Sequence, residues 1–139
     1  MHPHFELFDH TADIGLRVIA PSMAELIPPA TQGLYAAIGA LAFCGPAETL
    51  RIEIPGEDAA GLLRDYLAEL LRLFETSQRI INEPRAAQFS ATQLRVAGEA
   101  LRIDEDATVY FREVKAVTYH ELAIKEIAGG FEATVILDI

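Results

Sequence analysis

The chain has 139 residues, with 21 acidic against 11 basic side chains, a formal charge of −10 with neutral histidines. That balance argues against direct grip on RNA or DNA, because phosphate binding needs clustered Lys and Arg to displace counterions. A chain this long buries roughly two-thirds of the surface it exposes when unfolded, so it needs neither disulfides nor metal to fold, and one domain over 1–139 is expected.

The first residues, Met1-His2-Pro3-His4-Phe5-Glu6, carry neither a positive start nor an apolar stretch, so no export signal is expected and a reducing cytoplasm is the expected setting. Phe5–Phe8 and Gly15–Ala20 are short β candidates flanking a dense polar connection, Asp9-His10-Thr11-Ala12-Asp13. Ser22 with Glu25 three residues on reads as a capping box at a helix start. Pro28-Pro29 then predicts a short first turn and a kink or restart before the helix runs to about Phe43. Residues 26–47 contain no charge. Prolines, polar residues and three glycines break that stretch, so it reads as a buried helix rather than a membrane span. Cys44, alone and in an apolar context, is expected to be a small buried thiol.

Leu50–Ile54 alternates apolar and charged residues as a half-buried strand does. The clearest helix spans roughly Ala59 to Thr76, where Leu62, Leu63, Tyr66, Leu67, Leu70, Leu71 and Phe74 recur at steps of three and four. Beyond it, residues 86–97, 100–103, 108–117, 119–127 and 131–138 read as β, with Gly129-Gly130 marking a final hairpin turn. Two helices against a largely antiparallel or mixed sheet make an α+β fold.

No phosphate loop, paired-cysteine zinc pattern or nucleophile elbow is present. Chemistry is left to three polar elements. The Asp9–Asp13 connection packs two carboxylates, an imidazole and a hydroxyl into five residues, although Asp and Thr also cap turns. At the chain end, strand alternation puts Phe131, Ala133, Val135, Leu137 and Ile139 on one face and Glu132, Thr134 and Asp138 on the other. A terminal carboxylate beside Asp138 brings like charges together, which repel by about 4 kcal/mol at 4 Å and an effective dielectric of 20. Protonation, a nearby lysine or fraying into water would relieve them. The third element, Arg112–His120, reads as a strand with a bulge or turn, and Lys115 and His120 can cooperate only if the backbone bends between them.

These elements, in this order, resemble the archease family. The matching segments are Asp9-His10-Thr11-Ala12-Asp13-Ile14-Gly15, Val114-Lys115-Ala116-Val117-Thr118-Tyr119-His120 and Val135-Ile136-Leu137-Asp138-Ile139, with Leu67-Ala68-Glu69-Leu70-Leu71 similar to the family's central helix. Pro28-Pro29 departs from the family pattern, whose first helix is uninterrupted. The resemblance implies a small acidic cytoplasmic protein, not itself an enzyme. It would activate the RtcB-type RNA ligase of tRNA splicing and repair, promoting guanylylation and repeated turnover, and would meet RNA only through that ligase.

The resemblance further implies a divalent cation held by Asp13, Asp138 and Ile139, the last through its backbone carboxylate. Such oxygen donors suit Ca²⁺, Mg²⁺ or Mn²⁺. His10, Lys115 and His120 follow as supporting or partner-contacting residues. Two other readings fit the sequence. One is a chaperone or modulator of RNA-modifying enzymes such as tRNA methyltransferases, which would need an exposed apolar surface. The other is a metal-dependent hydrolase using Asp13 and Asp138 with His10 as base, which would need an open coordination position and a substrate pocket.

Overall fold

A computed structural model describes residues 1–139. Strands β1 (His4–His10) and β2 (Asp13–Ala20) form a tight hairpin. A 3-10 turn, Ala24–Leu26, leads into α1 (Ile27–Ile38). Next come β3 (Gly39–Ala40), β4 (Phe43–Pro55), α2 (Ala59–Ser77), β5 (Arg79–Phe89) and β6 (Gln93–Ile103). The chain closes with β7 (Val109–Tyr110), β8 (Ala116–Val117), β9 (Ala123–Ile127) and β10 (Gly130–Asp138).

Every strand pair is antiparallel. One sheet runs β1-β2-β10-β8, with β9 also on β10; a second runs β4-β6-β5; β3 and β7 form a small third pair. Helix α1 borders β1, β2 and β5, while α2 borders β4, β5, β6, β8 and β9, so both helices touch both large sheets. The main core, 24 buried residues, draws on both helices and both large sheets, including Leu16, Val18, Leu34, Leu67, Leu94 and Val135. This is the α+β arrangement that the periodicities predict.

The leucine stripe of α2 is fully seated: Leu62, Leu63, Tyr66, Leu67, Leu70 and Leu71 are all buried. Asp58 caps its start, accepting the Gly61 N–H at 2.7 Å. The prolines behave as predicted, since Pro28 and Pro29 sit in the first turn of α1, where a missing N–H costs nothing. Glu25 donates its N–H to Ser22 Oγ at 3.2 Å while Ser22 Oγ bonds the Glu25 carboxylate at 2.8 Å. Thr31 Oγ1 donates to Ile27 O, which leaves the buried Tyr66 hydroxyl to donate to Thr31 Oγ1.

Four expectations are corrected. Helix α1 stops at Ile38 instead of about Phe43, because Gly39 is extended and sits so close to β7 that a Cβ there would lie 2.2 Å from Val109 O. Cys44 is exposed, not buried. It lies where β4, an edge strand, is irregular: Gly45 has φ +82° and the register with β6 shifts between Cys44 and Glu48. The 86–97 strand is two strands, because Ser90 turns the chain by pairing with Gln93, and β5 begins earlier, at Arg79. Most of 108–117 and the start of 119–127 are not strand. Only Val109–Tyr110, Ala116–Val117 and Ala123–Ile127 pair, and Arg112 instead reaches across to the Ala37 carbonyl at 2.6 Å.

Candidate functional site

Strand alternation decides which polar residues can meet. On β1, β2 and β10 the residues Phe5, Leu7, Leu16, Val18, Ala133, Val135 and Leu137 face the core. Glu6, Phe8, His10, Asp13, Gly15, Arg17, Thr134, Ile136 and Asp138 therefore face the other way. Contacts agree: Arg17 bonds Glu6 at 3.4 Å and lies 4.8 Å over the Phe8 ring, which fills the space where a Gly15 Cβ would sit.

The polar connection of the sequence is mostly strand. His10 pairs with Asp13, leaving Thr11-Ala12 as a two-residue turn with Thr11 at φ 52°, a left-handed conformation costly for a β-branched residue. Leu137 pairs with Ile14 across β10 and β2, so the next step of the same register sets Asp138 opposite Asp13. His10, Asp13 and Asp138 thus form one row across three adjacent strands, on one face. Lys115 donates its backbone N–H to Asp138 O at 2.7 Å, just past the last β8–β10 pair, Ala116 with Asp138.

Neither Asp13 nor Asp138 has a cationic side chain within 4 Å; the ion-paired carboxylates are Glu6, Glu48, Glu53, Asp65, Glu69 and Glu121. Two uncompensated carboxylates side by side, with a backbone oxygen beyond them, are a donor set that fits a hard divalent cation. Lys115 does not supply the counter-charge. It borders a groove of about 700 Å³ with Ile38, Phe74 and Tyr110.

His120 lies in the Thr118–Glu121 turn that follows β8. Arg64 of α2 holds the end of that strand, donating from Nε to Val117 O at 2.8 Å and stacking 4.3 Å from the Tyr119 ring. Thr118 Oγ1 donates to Ile136 O and accepts the His120 N–H. Since β2 and β10 separate β1 from β8, this turn reaches across the polar face to His10: the two imidazole centroids are 5.4 Å apart, and His10 Nε2 is 3.1 Å from Glu121 Oε2. The bend that sequence alone required for His120 to join the site is present, and it brings His120 to His10, not to Lys115. Glu121 and Arg64 were not singled out by pattern. Glu121 directly follows the His120 motif, whereas Arg64 reads only as the polar side of a leucine-striped helix.

No helix is long and apolar enough to cross a membrane. Residues 5–139 match the model of the Archease protein family (MTH1598/TM1083). A protein archease of Methanosarcina barkeri is 30% identical over 139 residues, covering 97% of this chain and 95% of that one. One from Methanothermobacter thermautotrophicus is 31% identical, covering 97% and 98%. The solution structure of Methanobacterium thermoautotrophicum protein 1598 superposes with a TM-score of 0.75 at 30% identity, covering 97% and 98% of the two chains. A crystal structure described as an archease, possible chaperone, from Thermotoga maritima gives 0.66 at 20% identity over all of both chains, a likeness of fold.

Proposed function

The chain belongs to the archease family, and we propose that it is a metal-binding accessory protein that activates an RtcB-type RNA ligase, promoting guanylylation and repeated turnover in tRNA splicing and RNA repair. The observation that supports this reading is that Asp13 and Asp138 flank the last β2–β10 pair, Ile14 with Leu137, on one face of the sheet, and that neither has a cationic side chain within 4 Å. Asp13, Asp138 and the backbone of Ile139 would hold the ion, with Ca²⁺, Mg²⁺ or Mn²⁺ suited to oxygen ligation. When bound, it would supply positive charge at an otherwise acidic tip. The chain's own part is to keep the donors in place. The β2–β10 register aligns the two aspartates, and Lys115, through its backbone amide, ties the end of β10 to the strand beside it.

A net charge of −10 favours approach to a basic, RNA-binding surface rather than to RNA itself. The deciding experiment measures guanylylation and multiple-turnover ligation by the cognate ligase with this protein, without it, and with Asp138→Ala. Stimulation by the native chain and its loss in the variant are expected. No stimulation by the native chain would overturn the assignment, and unchanged stimulation by the variant would remove the role of the carboxylate row.

One observation favours a second reading, a chaperone or modulator of RNA-modifying enzymes such as tRNA methyltransferases. Val109, Tyr110 and Phe111 are 58%, 46% and 59% exposed beside the Lys115 groove, an apolar lip able to meet a protein client. Under that reading Phe111→Ser would abolish client binding while Asp138→Ala would not.

A further inference from the structure

We propose that His10, His120 and Glu121 form a second metal site, with nitrogen-rich donors for a borderline divalent ion such as Zn²⁺ or Co²⁺, separate from the oxygen donors of Asp13 and Asp138. One ligand atom from each of the three residues lies within 4.8 Å of the other two. His10 Nε2 is 3.1 Å from one Glu121 oxygen and His120 Nε2 is 3.9 Å from the other. Around a tetrahedral Zn²⁺ with bonds near 2.0–2.1 Å, neighbouring donor atoms are about 3.3 Å apart. Two imidazoles sharing such an ion place their ring centroids about 5.2 Å apart by the same geometry. The observed 5.4 Å, with the rings inclined at 64°, needs only small side-chain shifts to meet it.

The donors come from segments already held in place. His10 ends β1 and is paired to Asp13, and its side chain is only 22% exposed. Its Nδ1 is buried without a hydrogen-bond partner, and Nε2, which faces Glu121 and His120, is the nitrogen placed for ligation. Glu121 sits at φ 52°, in a turn fixed by Thr118 Oγ1 and by the Leu122 N–H bond to Tyr119 O. Two imidazoles and one carboxylate are a zinc-type donor set, and three protein ligands leave the fourth position to water. Oxygen-only donors at Asp13 and Asp138 select harder ions, so the two sites would discriminate by chemistry although His10 and Asp13 are neighbours.

The test is a Co²⁺ titration of the untagged full chain, followed by visible absorption and by Zn²⁺ competition. One tetrahedral Co²⁺ per chain, read from the amplitude of a strong visible band that Zn²⁺ displaces, is expected, whatever further Co²⁺ the oxygen donors take up without such a band. His120→Asn and Glu121→Gln change exposed side chains and should each weaken Co²⁺ binding at least about tenfold with an unchanged melting temperature. Asp138→Asn should leave the band intact, as should joint His2→Asn and His4→Asn. In the native chain, Zn²⁺ should shift the imidazole nitrogen resonances of His10 and His120 but not those of His2 and His4. Absence of a tetrahedral band, its survival in both His120→Asn and Glu121→Gln, or its loss in Asp138→Asn would each overturn the site. None of these readouts involves a ligase, so the result stands apart from the function proposed above.

Discussion

Tyr66 shows how one side chain couples the helices. Its hydroxyl is buried and bonds Thr31 of α1, so ionising it would strand a phenolate in the core; burial therefore drives its pKa above the ordinary 10.0, against the smaller opposing effect of the Thr31 bond. Tyr35, whose hydroxyl accepts the Ile81 N–H of β5, is raised for the same reason. Both phenols stay protonated in the fold while the unfolded chain loses those protons above about pH 10, so their contribution is complete below that pH and is lost above it. Each group should lower stability by about 1.4 kcal/mol per pH unit beyond that point. Urea unfolding across that range should show the decline, and Tyr66→Phe should halve the slope due to the pair. Near neutral pH the same variant should cost about 1 kcal/mol for the lost hydrogen bond. The four titratable ligand candidates with side chains in the polar row and turn, Asp13, Asp138, His10 and His120, were all visible in the sequence because they sit in short polar motifs. Glu121 was not, because a carboxylate in a turn carries no periodic signal.

Elements were legible in proportion to how locally they are determined. Helix α2 follows from its own spacing, and Pro28-Pro29 correctly marks the start of α1 through the loss of backbone N–H groups. The end of α1 depends on β7, some 70 residues later, whose carbonyl closes against Gly39. Gly39→Ala should therefore destabilise the fold by about 1–3 kcal/mol, by forcing β3 from β7. Thermal unfolding measures this, and Gly45→Ala, where no atom lies within 4 Å of the added Cβ, reports the cost of the φ +82° backbone without a clash. The β5–β6 hairpin reads from sequence as one strand over 86–97 for a similar reason. Ser90-Ala91-Thr92 is a weak turn signal, and pairing along both strands sets where the chain reverses.

For the molecule as a whole, the acidic excess is a statement about partners more than about folding. If approach to the ligase is steered by charge, stimulation at sub-saturating protein should fall as salt is raised from 0.05 to 0.5 M, because the screening length shortens from over 10 Å to below about 8 Å. A salt-independent effect would place recognition in the apolar lip around Val109, Tyr110 and Phe111 instead.

Residue order alone settled the α+β class, the buried face of α2, the two faces of β10 and the residues worth watching, since each depends on spacing along one segment. Which of those residues meet depended on long-range pairing. Asp13 and Asp138 are neighbours because β2 and β10 pair in one register, and a slip of one residue would turn Asp138 to the core face. His120 reaches His10, and Lys115 faces a groove instead of the aspartates, because the turn after β8 crosses the sheet under the hold of Arg64 and Thr118. Asp13 and Asp138, like His10 and His120, lie more than 100 positions apart in the chain, and a local pattern carries no information about such meetings.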